Sequence, residues 1–157
     1  MNRVLVVDDK KYYRDILTDF FLNRGFDVRT AINADNARSR FMQDGLFSLV
    51  SSDCKMPDFK YEMSRKAGLE LIEMIRLIEH DRYGEHFEIY TPIVMVTGST
   101  INPQDIAYPN SRFLGVIEKR VNWRGEEEVV IPKLKELLEH SGLESAVYQH
   151  ELTQQTF

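Results

Sequence analysis

Cysteine occurs once, at Cys54, in a chain of 157 residues. No internal disulfide can form, which agrees with a reducing compartment and makes the cytoplasm the expected location. Long apolar runs are missing too. Nothing approaches the roughly 18 residues of a membrane span, and the amino terminus reaches Asp8 and Asp9 before a signal-peptide core could develop. Neither membrane insertion nor export is therefore expected. Basic residues are in the minority, 20 against 25 acidic ones for a formal charge of -5, so the chain has no net electrostatic pull toward nucleic acid or an anionic membrane. The length accommodates one domain with a single core. No repeat and no low-complexity linker divides it.

The pattern that is present alternates short apolar runs with helical periods. Residues 3 to 7, Arg-Val-Leu-Val-Val, read as a central parallel strand buried on both faces. From Lys10 to Arg24 the apolar positions Tyr13, Ile16, Leu17, Phe20 and Phe21 recur every three or four residues, which predicts an amphipathic helix stopped by Gly25. A strand over 26–31 and a weaker helix from Asn33 to Met42 follow. Phe47, Leu49 and Val50, set off by Asp44-Gly45, predict a third strand that delivers Asp53 into a turn ending at Pro57. The charge-mixed segment from Phe59 to Lys66 has no period and reads as a loop. Gly68 to about His80 has a helical spacing, and Asp81 to Tyr90 is another polar stretch. Pro92 to Thr97 is a buried-looking strand. Asn102-Pro103 predicts a short helix start that Pro109 limits to about two turns, and Phe113 to Ile117 a fifth strand ending at Glu118 and Lys119. Arg120 to Gly125 reads as a loop, and residues 126–131 fit either a helix start or an extended piece. Pro132 to His140 reads as a helix with Leu134, Leu137 and Leu138 on its buried face. Residues 1–140 thus form the expected domain, and 141–157 a short helix or frayed tail.

Strands alternating with helices predict an α/β fold, a doubly wound five-stranded parallel sheet with helices on both faces, because parallel neighbours need crossover connections. Such a sheet gathers its strand ends along one edge, where open α/β sheets carry their chemistry. Asp8, Asp9, Asp53, Thr97 and Lys119 then converge from four strands. Carboxylates brought this close cannot all be ionised without a cation. Magnesium, which takes oxygen ligands and commonly one or two carboxylates with a phosphate, suits Asp8, Asp9 and Asp53. Lys119 supplies a point charge and Thr97 a hydroxyl for a phosphoryl group, and a carboxylate so placed can act as nucleophile in phosphoryl transfer. The remaining candidates read more simply. Asp58 fits a turn, Cys54 a small buried side chain, and His80, His86, His140 and His150 surface positions without metal-ligand spacing. Trp123 suits either packing on the last helix or a partner.

Val-Val-Asp-Asp at 6–9, Ser-Asp-Cys-Lys-Met-Pro-Asp at 52–58, Val-Thr-Gly at 96–98 and a lysine after the fifth strand resemble the receiver domain of two-component response regulators, over about residues 3 to 140. The resemblance implies a CheY-like, flavodoxin-like (βα)5 three-layer sandwich. It implies that Asp53 accepts a phosphoryl group from a sensor histidine kinase or a phosphotransfer protein, with Mg2+ held by Asp8, Asp9, Asp53 and the backbone carbonyl of Lys55. Lys119 would contact the phosphoryl group and Thr97 would move toward it. The chain would then be a stand-alone, cytoplasmic phosphoprotein that signals by conformational change to a protein target, catalyses only its own phosphorylation and dephosphorylation, and binds no nucleic acid. Pairing into a homodimer is left open. Four features depart from the family: the loop between Pro57 and Gly68 is longer than its usual tight connection, Pro109 interrupts the region of the fourth helix, and two single positions differ. Arg120 stands where proline usually follows the lysine, and Val116 where an aromatic usually accompanies the threonine, which leaves Phe113 or Tyr108 as substitutes. A receiver-like scaffold that ignores phosphorylation is the alternative. A magnesium-dependent phosphatase on a similar sheet would need a second acid two residues after Asp53, where Lys55 stands.

Overall fold

The computed structural model describes residues 2–102, 105–106 and 112–143. Five strands make one parallel sheet: β1 (Arg3–Val7), β2 (Asp27–Ala31), β3 (Leu49–Ser52), β6 (Ile93–Thr97) and β7 (Phe113–Glu118), in the order β2-β1-β3-β6-β7. Strand and helix alternate through α1 (Lys11–Leu22), α2 (Ala34–Gln43), α3 (Ala67–Tyr83) and α4 (Val130–Ser141). The doubly wound α/β sandwich expected from the sequence is the observed fold. Its short helix after Asn102 falls mostly on positions outside the described residues, as do Pro103, Tyr108, Pro109 and most of the tail beyond 140.

Alternation along β1 shows why both sheet faces are covered. Leu5 and Val7 point into one apolar cluster with Ala34, Ala37 and Phe41 of α2 and Leu71, Ile72 and Ile75 of α3. Val4 and Val6 point into the other, with Tyr13, Leu17, Phe20 and Phe21 of α1 and Val130, Leu134 and Leu138 of α4. A strand with period two and four consecutive apolar residues, Val4 to Val7, has no polar face to give to water there, so it must sit between two helical layers. Local signals set the element ends. Asn33 caps α2 by accepting a hydrogen bond from the Asn36 N–H at 2.7 Å. Gly25 takes a φ of 83° past the end of α1, a conformation that costs glycine nothing.

The segment following Asp53 corrects the sequence expectation. Residues 59–66 are not a structureless loop: β4 (Met56–Pro57) and β5 (Met63–Ser64) pair antiparallel. The turn between them is made by Asp58, whose Oδ1 accepts from the N–H groups of Lys60 and Glu62 at 2.9 and 3.1 Å. The Tyr61 hydroxyl then donates to Asp35 of α2 at 2.7 Å, and Arg38 of α2 lies 4.9 Å from the centre of the Phe59 ring. Strands of two residues are too short to show a period. α3 also runs past His80 to Tyr83, and a 3-10 turn at Phe87–Ile89 occupies the polar stretch before β6. Among the described residues no helix is long and apolar enough to cross a membrane.

Candidate functional site

Strand register brings the candidate residues together. β1 and β3 pair with Val7 opposite Ser52, and the ladder continues one step as the Asp53 N–H donates to the Val7 carbonyl at 2.8 Å. Asp53 is thereby carried beside Asp8. On the other side Thr97 of β6 stands opposite Glu118 of β7, and the Lys119 N–H donates to the Thr97 carbonyl at 2.9 Å. The next side chain, Lys119, reaches back across the edge. Its Nζ lies 2.8 Å from Asp8 Oδ2 and 2.9 Å from Asp53 Oδ2, with all three side chains at most 5% exposed.

Asp8 and Asp53 are further oriented by backbone donors. Asp8 Oδ1 accepts from the Lys10 N–H at 2.9 Å, and Asp53 Oδ1 from the Cys54 N–H at 2.7 Å. Burial pushes the Asp8 carboxyl above its ordinary range. Lys119 pulls it back, and the neighbouring Asp53 adds to the rise. One carboxylate oxygen from each of Asp8, Asp9 and Asp53 lies within 4.8 Å of the others. Asp9 Oδ1 is shielded from solvent and has no hydrogen-bond partner. A buried, unpartnered carboxylate oxygen in a group of three acids served by one lysine fits a hard divalent cation, which takes oxygen ligands and supplies the missing charge.

Two expected participants are placed differently from the acids. Thr97 is buried at the end of β6, where its Oγ1 accepts from the Ser99 N–H at 3.1 Å. Lys55, expected to contribute its backbone carbonyl, has an exposed side chain. Cys54 is buried and its thiol pushed up by desolvation, so it behaves as a small packed side chain. His80, His86 and His140 are on the surface, while His150 lies outside the described residues. Trp123 does not pack on α4; it is 87% exposed, with Arg124 stacked over it at 4.7 Å.

The sequence of residues 4–131 matches the family model for the response regulator receiver domain. The chain belongs to the response regulator receiver family. Solved receivers share its fold. A response regulator receiver protein from Pseudomonas putida is 26% identical, with 88% of this chain and 96% of that one covered and a TM-score of 0.63. The response regulator TrrA from Thermotoga maritima, solved in complex with Mg2+-BeF, is 26% identical over 88% of this chain and 100% of its own, with a TM-score of 0.58. A chemotaxis protein, CheY4 from Vibrio cholerae, at 23% identity and a TM-score of 0.61 over 89% and 98% of the two chains, supports the fold alone. No curated protein sequence matches. Receiver domains are phospho-accepting signalling modules, and the acidic pocket in which they bind Mg2+ corresponds here to the cluster of Asp8, Asp9 and Asp53.

Three residues around this receiver's pocket escaped the sequence reading. The ring of Tyr13 lies 4.1 Å from Lys119 Nζ, and the Tyr13 hydroxyl donates to Glu127 at 2.9 Å. In the sequence Tyr13 is only one more apolar position of α1. Glu127 carried a usable signal, an acid three residues before the first residue of a helix. Gly68 lets α3 approach the exit of β3 closely: a Cβ there would stand 2.3 Å from the Asp53 carbonyl oxygen and 2.7 Å from Cys54 Cα. Its N–H donates to the Cys54 carbonyl at 2.9 Å.

Proposed function

We propose that Asp53 accepts a phosphoryl group from a phosphohistidine of a sensor histidine kinase or phosphotransfer protein, and that the altered chain then signals to a protein partner. The observation that carries this reading is the buried Asp53 carboxylate, held by the Cys54 N–H on one oxygen and Lys119 on the other, beside two more acids. An Asp53 oxygen attacks phosphorus and forms an O–P bond. The P–N bond of the donor breaks, and the imidazole keeps the electron pair and takes a proton from solvent. Asp8, Asp9, Asp53 and the Lys55 backbone carbonyl would hold Mg2+, which supplies positive charge to the phosphoryl oxygens. Lys119 turns from the carboxylates to a phosphoryl oxygen, and Thr97 exchanges its contact with Ser99 for another. Phosphorylation replaces a carboxylate with a group of roughly -1.5 to -2 charge, if an acyl phosphate resembles other phosphoryl groups. The loops after β6 and β7 respond because Thr97 and Lys119 begin them.

On this reading residues 1–140 carry the activity; among the described residues the last fully buried member of either apolar cluster is Leu138, and Leu143 packs partly buried against the second. The chain acts in the cytoplasm as a switch without turnover of an external substrate. Acetyl phosphate with Mg2+ is expected to add one phosphate to the wild type and none to Asp53→Asn, read by intact mass. Failure of the wild type to label under conditions that label other receivers removes the proposal. A phosphorylation-independent scaffold is favoured by one feature: Val116 packs half-buried against the core where the family carries an aromatic. Equal partner affinity for wild type, Asp53→Asn and the beryllofluoride-treated form would select it.

A further inference from the structure

We infer that Tyr13, braced by Glu127, is a positioning residue that sets where the Lys119 ammonium stands, an inference that rests on Lys119 being the phosphoryl contact. An ammonium has three donors and no acceptor. Two carboxylates lie within reach of Lys119 Nζ, and the ring of Tyr13 faces the same nitrogen at 4.1 Å. That is within the range at which a ring face attracts a cation, and the attraction is larger where both are shielded from water. Tyr13 is itself buried.

The ring is tied back to the backbone beside Lys119. The Tyr13 hydroxyl donates to Glu127 Oε2 at 2.9 Å, and the same oxygen accepts from the Arg120 N–H at 3.1 Å. Arg120 follows Lys119, so ammonium, ring, hydroxyl, carboxylate and peptide close a circuit. A proline at 120, usual in this family, would have no N–H to complete it. The other oxygen, Oε1, accepts from the N–H groups of Val129 and Val130 at 2.7 and 2.9 Å, which fixes the carboxylate to the start of α4. The Glu127 N–H donates to the Tyr12 hydroxyl at 3.1 Å. Burial first, and the bond to Glu127 second, push the Tyr13 hydroxyl up from its ordinary value, so it remains a donor.

A lysine has four rotatable side-chain bonds and loses that rotamer freedom when its ammonium is fixed. The ring holds the ammonium near the acids before the phosphoryl group arrives. Because attraction to a ring face does not fix the direction of an N–H, the ammonium can change oxygen partners without leaving the ring.

Two measurements test this on the full chain, at a temperature where circular dichroism shows every variant folded. In protein labelled with 15N-lysine and free of Mg2+, the Lys119 ammonium is expected to give a slowly exchanging signal that Tyr13→Phe broadens and Tyr13→Leu abolishes. With acetyl phosphate, the maximal labelling rate is expected to fall about threefold in Tyr13→Phe, the loss of one hydrogen bond, and about tenfold in Tyr13→Leu, the loss of the ring contact. The donor concentration at half-saturation stays unchanged. Glu127→Gln matches Tyr13→Phe, and the double variant is no slower than either. An unchanged ammonium signal in Tyr13→Leu, or single-variant rate losses that multiply in the double, overturns the inference. A wild type that never labels defeats the phosphoacceptor reading instead, and the ammonium signal still decides the positioning role.

Discussion

Removing the Lys119 ammonium is the sharpest probe of the pocket's electrostatics. Lys119→Met keeps most of the aliphatic stem but leaves Asp8 and Asp53, 0% and 4% exposed, without their shared partner. At the two separations of 2.8 and 2.9 Å, each contact is worth about 6 kcal/mol of attraction at an effective dielectric of about 20. Most of that is offset by no longer having to desolvate the ammonium. Breaking a buried charge pair from one side leaves a net cost of about 3–5 kcal/mol. For a chain of this size that lowers Tm by on the order of 10 °C. A divalent cation among the same acids replaces the missing charge, and its binding is no longer opposed by the ammonium. The Tm gap between variant and wild type is therefore expected to shrink as Mg2+ replaces chelator, with a gain of about 2.7 kcal/mol for any form at a hundred times its Kd. Thermal unfolding followed by circular dichroism reads both effects, with the exposed Lys133→Met as control. A variant within about 2 °C of wild type in chelator, against the roughly 10 °C expected, or a gap that Mg2+ leaves unchanged, refutes the reasoning.

Gly68→Ala places a Cβ 2.3 Å from the Asp53 carbonyl oxygen; because the obstacle is backbone, the expected cost is about 1–3 kcal/mol in urea unfolding, together with slower acetyl phosphate labelling. Arg76 and Glu79 of α3 form a buried pair at 2.6 Å, with Arg76 donating to the Thr91 carbonyl at 2.8 Å and Glu79 accepting the Thr91 N–H. Arg76→Met is expected to cost about 3–5 kcal/mol, and the double variant with Glu79→Leu no more than the single; additive losses would show that the two groups do not act as a pair.

The fold was legible because β1 and β6 declare themselves: apolar runs rich in β-branched residues fit a position between two helical layers, and α1 has an unbroken helical period. Asp8, Asp9, Asp53 and Lys119 were legible for a related reason, since a parallel sheet leaves few places for a residue just past a strand to go. The hairpin after Asp53 was not. Its strands are two residues long, and what holds it, Tyr61 on Asp35 and Arg38 over Phe59, links positions that no local pattern relates. The same holds for Tyr13 and Glu127, separated by 114 positions. Trp123 shows a third limit. Its residue type suits burial, but the bridge between Val121 and Glu127 turns the loop tip outward.

A pocket of three acids and one lysine is under-neutralised by construction, and the unpartnered Asp9 Oδ1 is where that shows. Such a site costs stability that a hydrophobic replacement would recover, as buried ionic groups often do. The imbalance is what makes the site responsive. Added positive charge is drawn in strongly, and on the proposed reading a phosphoryl on Asp53 would add negative charge facing Lys119, the ammonium that contacts the acids among the described residues. Lys119 contacts Asp8 and Asp53 and is followed by Arg120, whose N–H donates to the Glu127 carboxylate that also holds the start of α4, so a shift of the backbone at Lys119 would load that carboxylate. Such a shift would couple a charge event at the strand ends to a helix whose own face lies on the sheet's opposite layer from the hairpin and α2.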